Sequence, residues 1–208
     1  MQQRKLSDKQ ARDLNSKLIQ YSKEIWQKSE MILKALDIEN PEKSDDDKAF
    51  ELFRYIVSSS KYDNNVMQEK HQDGELEDYE FMCIADIHRC LCENRSSCTS
   101  DALALAFLYC RAGLASTHVT IGPKNTDKSF HEVTFLSLGD GAYICDPTLT
   151  RTTLEELAIE ECSRKFYKVS PQYFFEKMYP NHEVKYIHEM PKFTAYSKLV
   201  EEKELGLN

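Results

Sequence analysis

The chain has 208 residues, 41% of them hydrophobic, and a formal net charge of -8 at pH 7. This length supplies one good hydrophobic core and is short for two. The acidic balance excludes a typical nucleic-acid-binding protein, which carries a basic face. No run of the sequence approaches the roughly 18 to 20 apolar residues of a membrane span, so we expect no membrane partner either.

The N-terminal segment predicts the compartment. MQQRKLSDKQARDLNSK is charged throughout and lacks the apolar stretch of a secretory signal. Seven cysteines, an odd number, accompany it, which favours a reducing environment. We therefore expect a cytoplasmic protein without a cofactor, while a signal-independent secretion route would leave no mark in the sequence.

The chain opens with an amphipathic helix. Ser7 starts a possible capping box, SDKQ, and apolar residues recur at spacings of three, four and seven as far as Leu36. This apolar stripe either packs on the core or binds a partner. Asn40 and Pro41 end the helix, and Ser44 is the predicted start of the next one.

A cysteine-rich helix follows a polar stretch. Residues 64–78 predict a surface loop, and YEFMCIADIHRCLCEN then predicts a helix. Its cysteines could bind zinc with His88, which would make the chain a metal-stabilised interaction domain. However, Cys90 and Cys92 lack the spacing of the CxxC pairs that zinc sites use, so we expect no metal. We interpret His88, like His118 further on, as a structural histidine.

The most informative residue is Cys98. Polar residues precede it, and DALALAFLYC after it predicts a buried helix that Gly113 closes in a left-handed conformation. The unpaired NH groups and the positive dipole end at a helix start favour an anion, and so favour the thiolate form of a cysteine. Cys98 is therefore a candidate nucleophile, and its own backbone NH is a candidate oxyanion donor.

Two later residues complete a catalytic set. His131 opens the strand-like FHEVTFLSL and Asp146 closes AYICD, with LGDGA predicting a hairpin turn between them. A tight turn on Asp140 and Gly141 would separate His131 from Asp146 by about 13 Å along the strand. We therefore expect a wider loop or bulge, with the pairing centred near Leu138.

The end of the chain predicts helices. Thr153 begins a capping box, TLEE, for a helix to about Lys165, and Ser170 with the proline after it starts another through Met178. EVKYIHEM predicts a short strand, and FTAYSKLVEEKEL a last helix. The aromatic clusters here either cover the core or line a substrate groove; Tyr179 belongs to one of them.

These motifs, in this order, resemble the transglutaminase-like superfamily of papain-like thiol enzymes. The resemblance is carried by YIVSSSKYD, by CTSDALALAFLYCRAGLASTHVTIG and by HEVTFLSLGDGAYICDPT, and it covers roughly 47–150. It implies an α+β fold in which the nucleophile begins a buried helix packed on a small antiparallel sheet. We expect one domain, 1–208, in which a helical extension (1–43) and a mostly helical one (151–208) flank the core (44–150).

The resemblance implies a Cys98, His131, Asp146 triad acting on a protein or peptide substrate. Cysteine attacks a glutamine or backbone amide, histidine moves the proton, and aspartate orients the histidine. Tyr62 and Gln68 are candidates for a second oxyanion donor. The sequence leaves open whether the chain is a protease, a glutamine deamidase or a transglutaminase. The alternative is an inactive copy of the fold that serves as a protein-binding module.

Overall fold

A computed structural model describes residues 7–65, 79–153 and 159–193. Long helices come first, a sheet follows, and short helices lie after it. The helices are α1 (Asp8–Ala35), α2 (Asp45–Ser59), α3 (Tyr79–Cys92), α4 (Cys98–Arg111), α5 (Pro147–Thr153), α6 (Ile159–Phe166) and α7 (Pro171–Tyr173), which continues as a π-helix, Phe174–Met178. The strands are β1 (Lys61–Tyr62), β2 (Arg95–Ser96), β3 (Ala115–Pro123), β4 (His131–Leu138), β5 (Gly141–Cys145) and β6 (His182–Ile187).

The predicted helix ends are confirmed where side chains cap them. Ser7 and Gln10 form both bonds of a capping box at α1, and Ser44 accepts a bond from the third residue of α2. Gly113 has a φ of 80°, which is the left-handed conformation expected after α4. Ser170 likewise caps α7, with a proline at its first position.

An antiparallel sheet in the order β5-β4-β3-β6 carries a core on each face. Leu136 and Cys145 point into the larger core, which the first four helices build. Val133 and Ile144 point into a smaller core, which Phe174 of the π-helix closes. This alternation follows from the period of two along a strand, and it confirms the predicted α+β architecture.

The helix α4 is the centre of the molecule. From Ser100 to Tyr109 every residue is buried, and the helix packs against α3 on one side and against β3 and β4 on the other. A helix that is apolar all round must be surrounded by other elements. No helix of the described ranges is long and apolar enough to cross a membrane.

In the segment YIVSSSKYD, α2 stops at Ser59, and Lys61–Tyr62 forms a short parallel pair with β2. The later part of the helix predicted from Thr153 to about Lys165 is observed as α6, and the start of that predicted helix, after Thr153, lies outside the described residues. A helix that was not predicted, α5, comes before it and is capped by Asp146. The last predicted helix and the loop 66–78 lie outside the described residues.

Candidate active site

Cys98 is the first residue of α4, half-buried at the edge of the core. Ser97 caps the helix: its hydroxyl accepts a bond from the backbone NH of Ser100 at 3.4 Å. The hydroxyl of Ser100 in turn bonds Oδ1 of Asp86 on α3 at 3.0 Å. The cap and this bond fix the first turn of the helix, and with it the position of the sulfur.

His131 and Asp146 are in direct contact. Nε2 of His131 lies 2.8 Å from Oδ2 of Asp146, in a nearly closed environment where the side chains are 11% and 1% exposed. Cys98 lies close enough to His131 to help raise the pKa of its imidazole. Because Nε2 is engaged by the carboxylate, Nδ1 is the ring nitrogen left for the thiol. The structure thus places the sulfur near an imidazole that is paired with a carboxylate.

The hairpin reaches this geometry by a register other than the expected one. Leu138 pairs with Gly141, so the turn is a tight one on Gly139 and Asp140, and the predicted wider loop centred near Leu138 is wrong. Asp146 comes directly after the last paired residue of β5. At the end of its strand its side chain reaches back to His131, so exact cross-strand opposition is not needed.

The surroundings of His131 determine its protonation. Burial alone would lower the pKa of this imidazole, but the negative charge of Asp146 and the hydrogen bond to it act in the opposite direction. The proximity of Cys98 adds to their effect. Together these contacts raise the pKa of His131 from 6.5 to about 10. The imidazole therefore holds a proton throughout the neutral range.

Asp146 has two structural partners at once. While Oδ2 meets His131, Oδ1 accepts a hydrogen bond from the backbone NH of Leu149 at 2.9 Å and so caps α5. Pro147 occupies the first helical position, where its missing NH costs nothing. Asp-Pro-Thr therefore ends a strand and starts a helix. The capping bond holds the Asp146 side chain in the rotamer that brings Oδ2 to His131.

Beneath the site lies a buried ion pair that sequence reasoning missed. Arg151 of α5 reaches Asp101 of α4, with Nη1 at 2.7 Å from Oδ2 and Nη2 at 3.2 Å from Oδ1, and Asp101 is fully buried. Thr148 donates to Oδ2 of Asp101 at 2.7 Å. The same guanidinium donates to the carbonyls of Ile56 and Val57 at the end of α2. An aspartate inside an otherwise apolar helix was the signal that a buried cation had to face it.

Of the two candidates for a second oxyanion donor, Tyr62 and Gln68, only Tyr62 lies among the described residues. Tyr62 lies on β1, which pairs in parallel with β2 just ahead of Cys98, and its side chain is 40% exposed. Partial burial, and then the proximity of Cys98 and Asp101, raises the pKa of the Tyr62 hydroxyl, which stays protonated as a donor requires. Gln68 lies outside the described residues.

An aromatic residue from a distant part of the chain also meets His131. The ring of Tyr179 stacks on the imidazole at 6.2 Å between centroids and 27° between planes. Burial, followed by the proximity of Asp146 and Cys98, raises the pKa of Tyr179. Sequence reasoning placed Tyr179 in an aromatic cluster, but only the folded chain shows that this ring lies against the histidine.

The other cysteines and histidines have ordinary structural surroundings. Burial raises the pKa of the Cys92 thiol to about 11 and that of Cys145 to about 12, whereas Cys110 is exposed. His88 lies between two carboxylates of the helical layer, with Nε2 at 2.6 Å from Glu24. Among the residues that the structure describes, no three His, Cys, Asp or Glu side chains are grouped as metal ligands.

No protein-family model matches the sequence, and no curated protein matches it either. Among solved structures, one described as "Crystal structure of a TGase" is similar to this chain with a TM-score of 0.43 and 12% sequence identity. The match covers 69% of this chain and 33% of the other, so this chain spans about a third of that protein's length. A likeness this distant adds nothing to what the geometry of the site shows.

Proposed function

We propose that the chain is a thiol-dependent acyl-transfer enzyme that cleaves an amide bond through a thioester on Cys98. The observation that carries the proposal is the pairing of the His131 imidazole with the Asp146 carboxylate at 2.8 Å, close to Cys98 at the start of a buried helix. The start of a buried helix supplies the sulfur with a favourable field. The raised pKa of His131 keeps a proton on the imidazole, which the departing nitrogen can take.

Each group has a definite role in this mechanism. The sulfur attacks the amide carbon, and the oxyanion that forms is bound by the backbone NH of Cys98 and, in our proposal, by the hydroxyl of Tyr62. His131 then gives its proton to the nitrogen as the C–N bond breaks, which leaves a thioester and a free amine or ammonia. Water or a second amine attacks the thioester, passes a proton to His131, and releases the thiol. Asp146 holds the imidazole in place and stabilises its positive charge.

Three activities are possible, depending on which amide the sulfur attacks and on whether water or an amine then attacks the thioester. Water on a peptide thioester makes the enzyme a protease, water on a glutamine side chain makes it a deamidase, and an amine on glutamine makes it a transglutaminase. All three use the same residues for the first step, so the proposal covers a protein or peptide substrate presented through a glutamine or backbone amide.

The first test is the rate at which each cysteine reacts with iodoacetamide, followed by mass spectrometry across pH. Cys110 is the internal reference because it is exposed. At pH 6 to 7 an ordinary thiol is only a few per cent thiolate, so Cys98 should react roughly tenfold faster than Cys110. His131→Ala should remove that advantage, and the control Cys110→Ser should leave Cys98 labelling unchanged.

Equal or slower labelling of Cys98 in the unmodified protein would contradict the proposal and favour an inactive, protein-binding copy of the fold. On any substrate found by screening, Cys98→Ala should abolish turnover while the protein stays folded, as circular dichroism would show. His131→Ala should come close to the same loss.

A further inference from the structure

Three aromatic rings stand together beside the histidine. We call Phe130, Tyr179 and His182 the aromatic wall. Phe130 lies 4.9 Å from His182 and 6.1 Å from Tyr179 between ring centroids, and His182 lies 5.4 Å from Tyr179. Their planes meet at 48°, 64° and 78°, so the three rings do not stack into a closed column. Aromatic pairs prefer such tilted arrangements, which leave ring surface available to a further ring.

The wall is exposed where a core residue would not be. Phe130 is 59% exposed although it is a large hydrophobic side chain. Its backbone is nevertheless fixed, since its NH donates to the carbonyl of Ile121 on β3 at 2.8 Å. Gly122 lets the loop between β3 and β4 pass close to β3, because a Cβ at this position would lie 2.1 Å from the carbonyl oxygen of Lys128. An exposed aromatic ring held on a fixed backbone is typical of a recognition surface.

The wall is continuous with the candidate site through His131. Tyr179 belongs to both, since it stacks on the imidazole, and Phe130 precedes His131 in the chain with 6.4 Å between the two rings. The imidazole is the group that protonates the departing amine and deprotonates the incoming acceptor. The part of the substrate that carries this nitrogen therefore lies on the histidine side of the sulfur, where the wall is.

The charges near the wall indicate what kind of group it takes. A cage of aromatic rings can hold a cation, but here the ammonium of Lys124 lies 3.3 Å from the carbonyl of Pro180, next to Tyr179. The ammonium of Lys185, which donates to the carbonyl of Thr126 in the same loop, is paired with Glu183 at 2.6 Å. The aromatic wall itself contains no carboxylate, and the ammonium of Lys124 lies beside it, so a neutral aromatic ring is a better fit than a cation.

We propose that the aromatic wall is a subsite for an aromatic side chain on the amine partner of the acyl transfer, that is, the leaving or the accepting group next to the reacting nitrogen. The subsite rests on the proposed function, since it selects the group that His131 serves. It adds a preference for one kind of amine partner, which Cys98, His131 and Asp146 do not provide by themselves.

The test measures the second half of the reaction separately. p-Nitrophenyl acetate should acetylate Cys98 and release p-nitrophenolate in a burst that matches the amount of enzyme. L-phenylalaninamide or L-alaninamide is then added as the acceptor: the amine nitrogen attacks the thioester carbon, the C–S bond breaks, and the N-acetyl amide and free thiol are formed. The two amines have similar basicity, so the ratio of their rate constants reports recognition of the side chain.

Phenylalaninamide should react roughly tenfold or more faster than alaninamide, as expected when a pocket fills with apolar surface. Phe130→Ala should bring the ratio of the two rate constants close to one, and the burst, measured in the same experiment, gives the amount of acylated enzyme to which both rates refer. Tyr186→Ala is the matched control and should leave the ratio unchanged, since Tyr186 is an aromatic residue of similar exposure, 56%, whose ring lies near His188.

The possible failures are distinguishable. A burst of normal size with equal rates for the two amines, or a preference that survives Phe130→Ala, would overturn the subsite and leave the proposed function standing. The absence of a burst and of acetylated Cys98 would overturn the proposed function, and the subsite with it.

Discussion

A single carboxylate has two partners at the site. Oδ1 of Asp146 caps α5 and Oδ2 meets His131, so substitutions there change the stability of a helix and the charge of a histidine together. Asparagine caps helices about as well as aspartate does, whereas alanine does not. The two replacements therefore separate the roles of the side chain.

We predict that Asp146→Asn lowers the pKa of His131 from about 10, because the charge that outweighs burial is lost. The pH profile of Cys98 alkylation should lose its advantage over Cys110 near neutrality, while the free energy of unfolding changes little from loss of the cap. Asp146→Ala should do the same to the profile and also cost about 1 kcal/mol of stability. Urea denaturation would measure the difference, and equal stability of the two variants would contradict the capping role.

At the scale of residues, much of the site could be predicted from sequence, because the cues are local. A cysteine at a helix start, a histidine opening a strand and an aspartate before proline each depend on a few neighbours in the chain. The contact of Tyr179 with His131 depends on how the π-helix returns to the sheet, and no local pattern carries that information. Gln68 lies outside the described residues, so its role as an oxyanion donor stays a prediction.

Among the elements, Arg151 connects the helices that carry the site. It belongs to α5, which Asp146 caps, and it contacts α2, β2 and α4 through Ile56, Ser96 and Asp101. Its guanidinium thus connects the helix that Asp146 caps to the helix that begins at Cys98. A buried charge without its partner is costly, so this junction is sensitive to the loss of either member.

We predict that Arg151→Met lowers the free energy of unfolding by about 3–5 kcal/mol, because Asp101 is left buried and unpaired. The double variant Arg151→Met with Asp101→Asn should lose less stability than the sum of the two single variants. Each single variant leaves one buried charge without its partner, whereas the double variant leaves none. Urea denaturation measures all three proteins. Glu30→Gln, which breaks a surface pair whose glutamate side chain is 78% exposed, is the control and should cost less than about 1 kcal/mol. A single Arg151 variant as stable as this control would refute the role.

The order of the elements could be read from periodicity and capping signals, but their pairing could not. Moving the turn of the β4–β5 hairpin from Gly139 and Asp140 to Asp140 and Gly141 changes the pairing by two residues and keeps every side chain on its face. The apolar alternation therefore does not decide between the two registers, and the turn residues LGDGA permit both. Val133 and Leu136 pack into separate cores with residues far away in the chain, which no local pattern reveals.

Across the whole molecule, a pair of histidines joins the sheet to the segment after β6. The rings of His118 and His188 stack at 4.4 Å with planes 5° apart, and His118 is only 2% exposed. The Thr120 hydroxyl lies 2.7 Å from Nε2 of His188, and Glu132 lies 3.7 Å from Nε2 of His118. Burial, and then the neighbouring His188, lowers the pKa of His118 to about 3.

We predict that His118 makes the protein less stable in mild acid. Its pKa in the folded chain lies below its unfolded value of 6.5, so the unfolded chain takes up the proton first, and stability falls as pH drops from about 6.5 towards 3. His118→Phe keeps the stacked ring and removes the titration. Between pH 7 and pH 5 the free energy of unfolding should fall by about 2 kcal/mol more in the unmodified protein than in the variant. Parallel urea titrations at both pH values measure it, and identical pH dependence would show that His118 is protonated in the folded state.

The tight turn on Gly139 and Asp140 has a consequence for quality control of the protein. Because strand residues alternate between faces, a hairpin slipped by one residue would turn Asp146 away from His131. Such a chain would keep its helices and most of its apolar burial, and bulk spectroscopy would scarcely distinguish it. In the proposed mechanism, only correctly registered molecules place Cys98 beside a paired His131, so titration of this thiol would test the register of the hairpin as well as the candidate site.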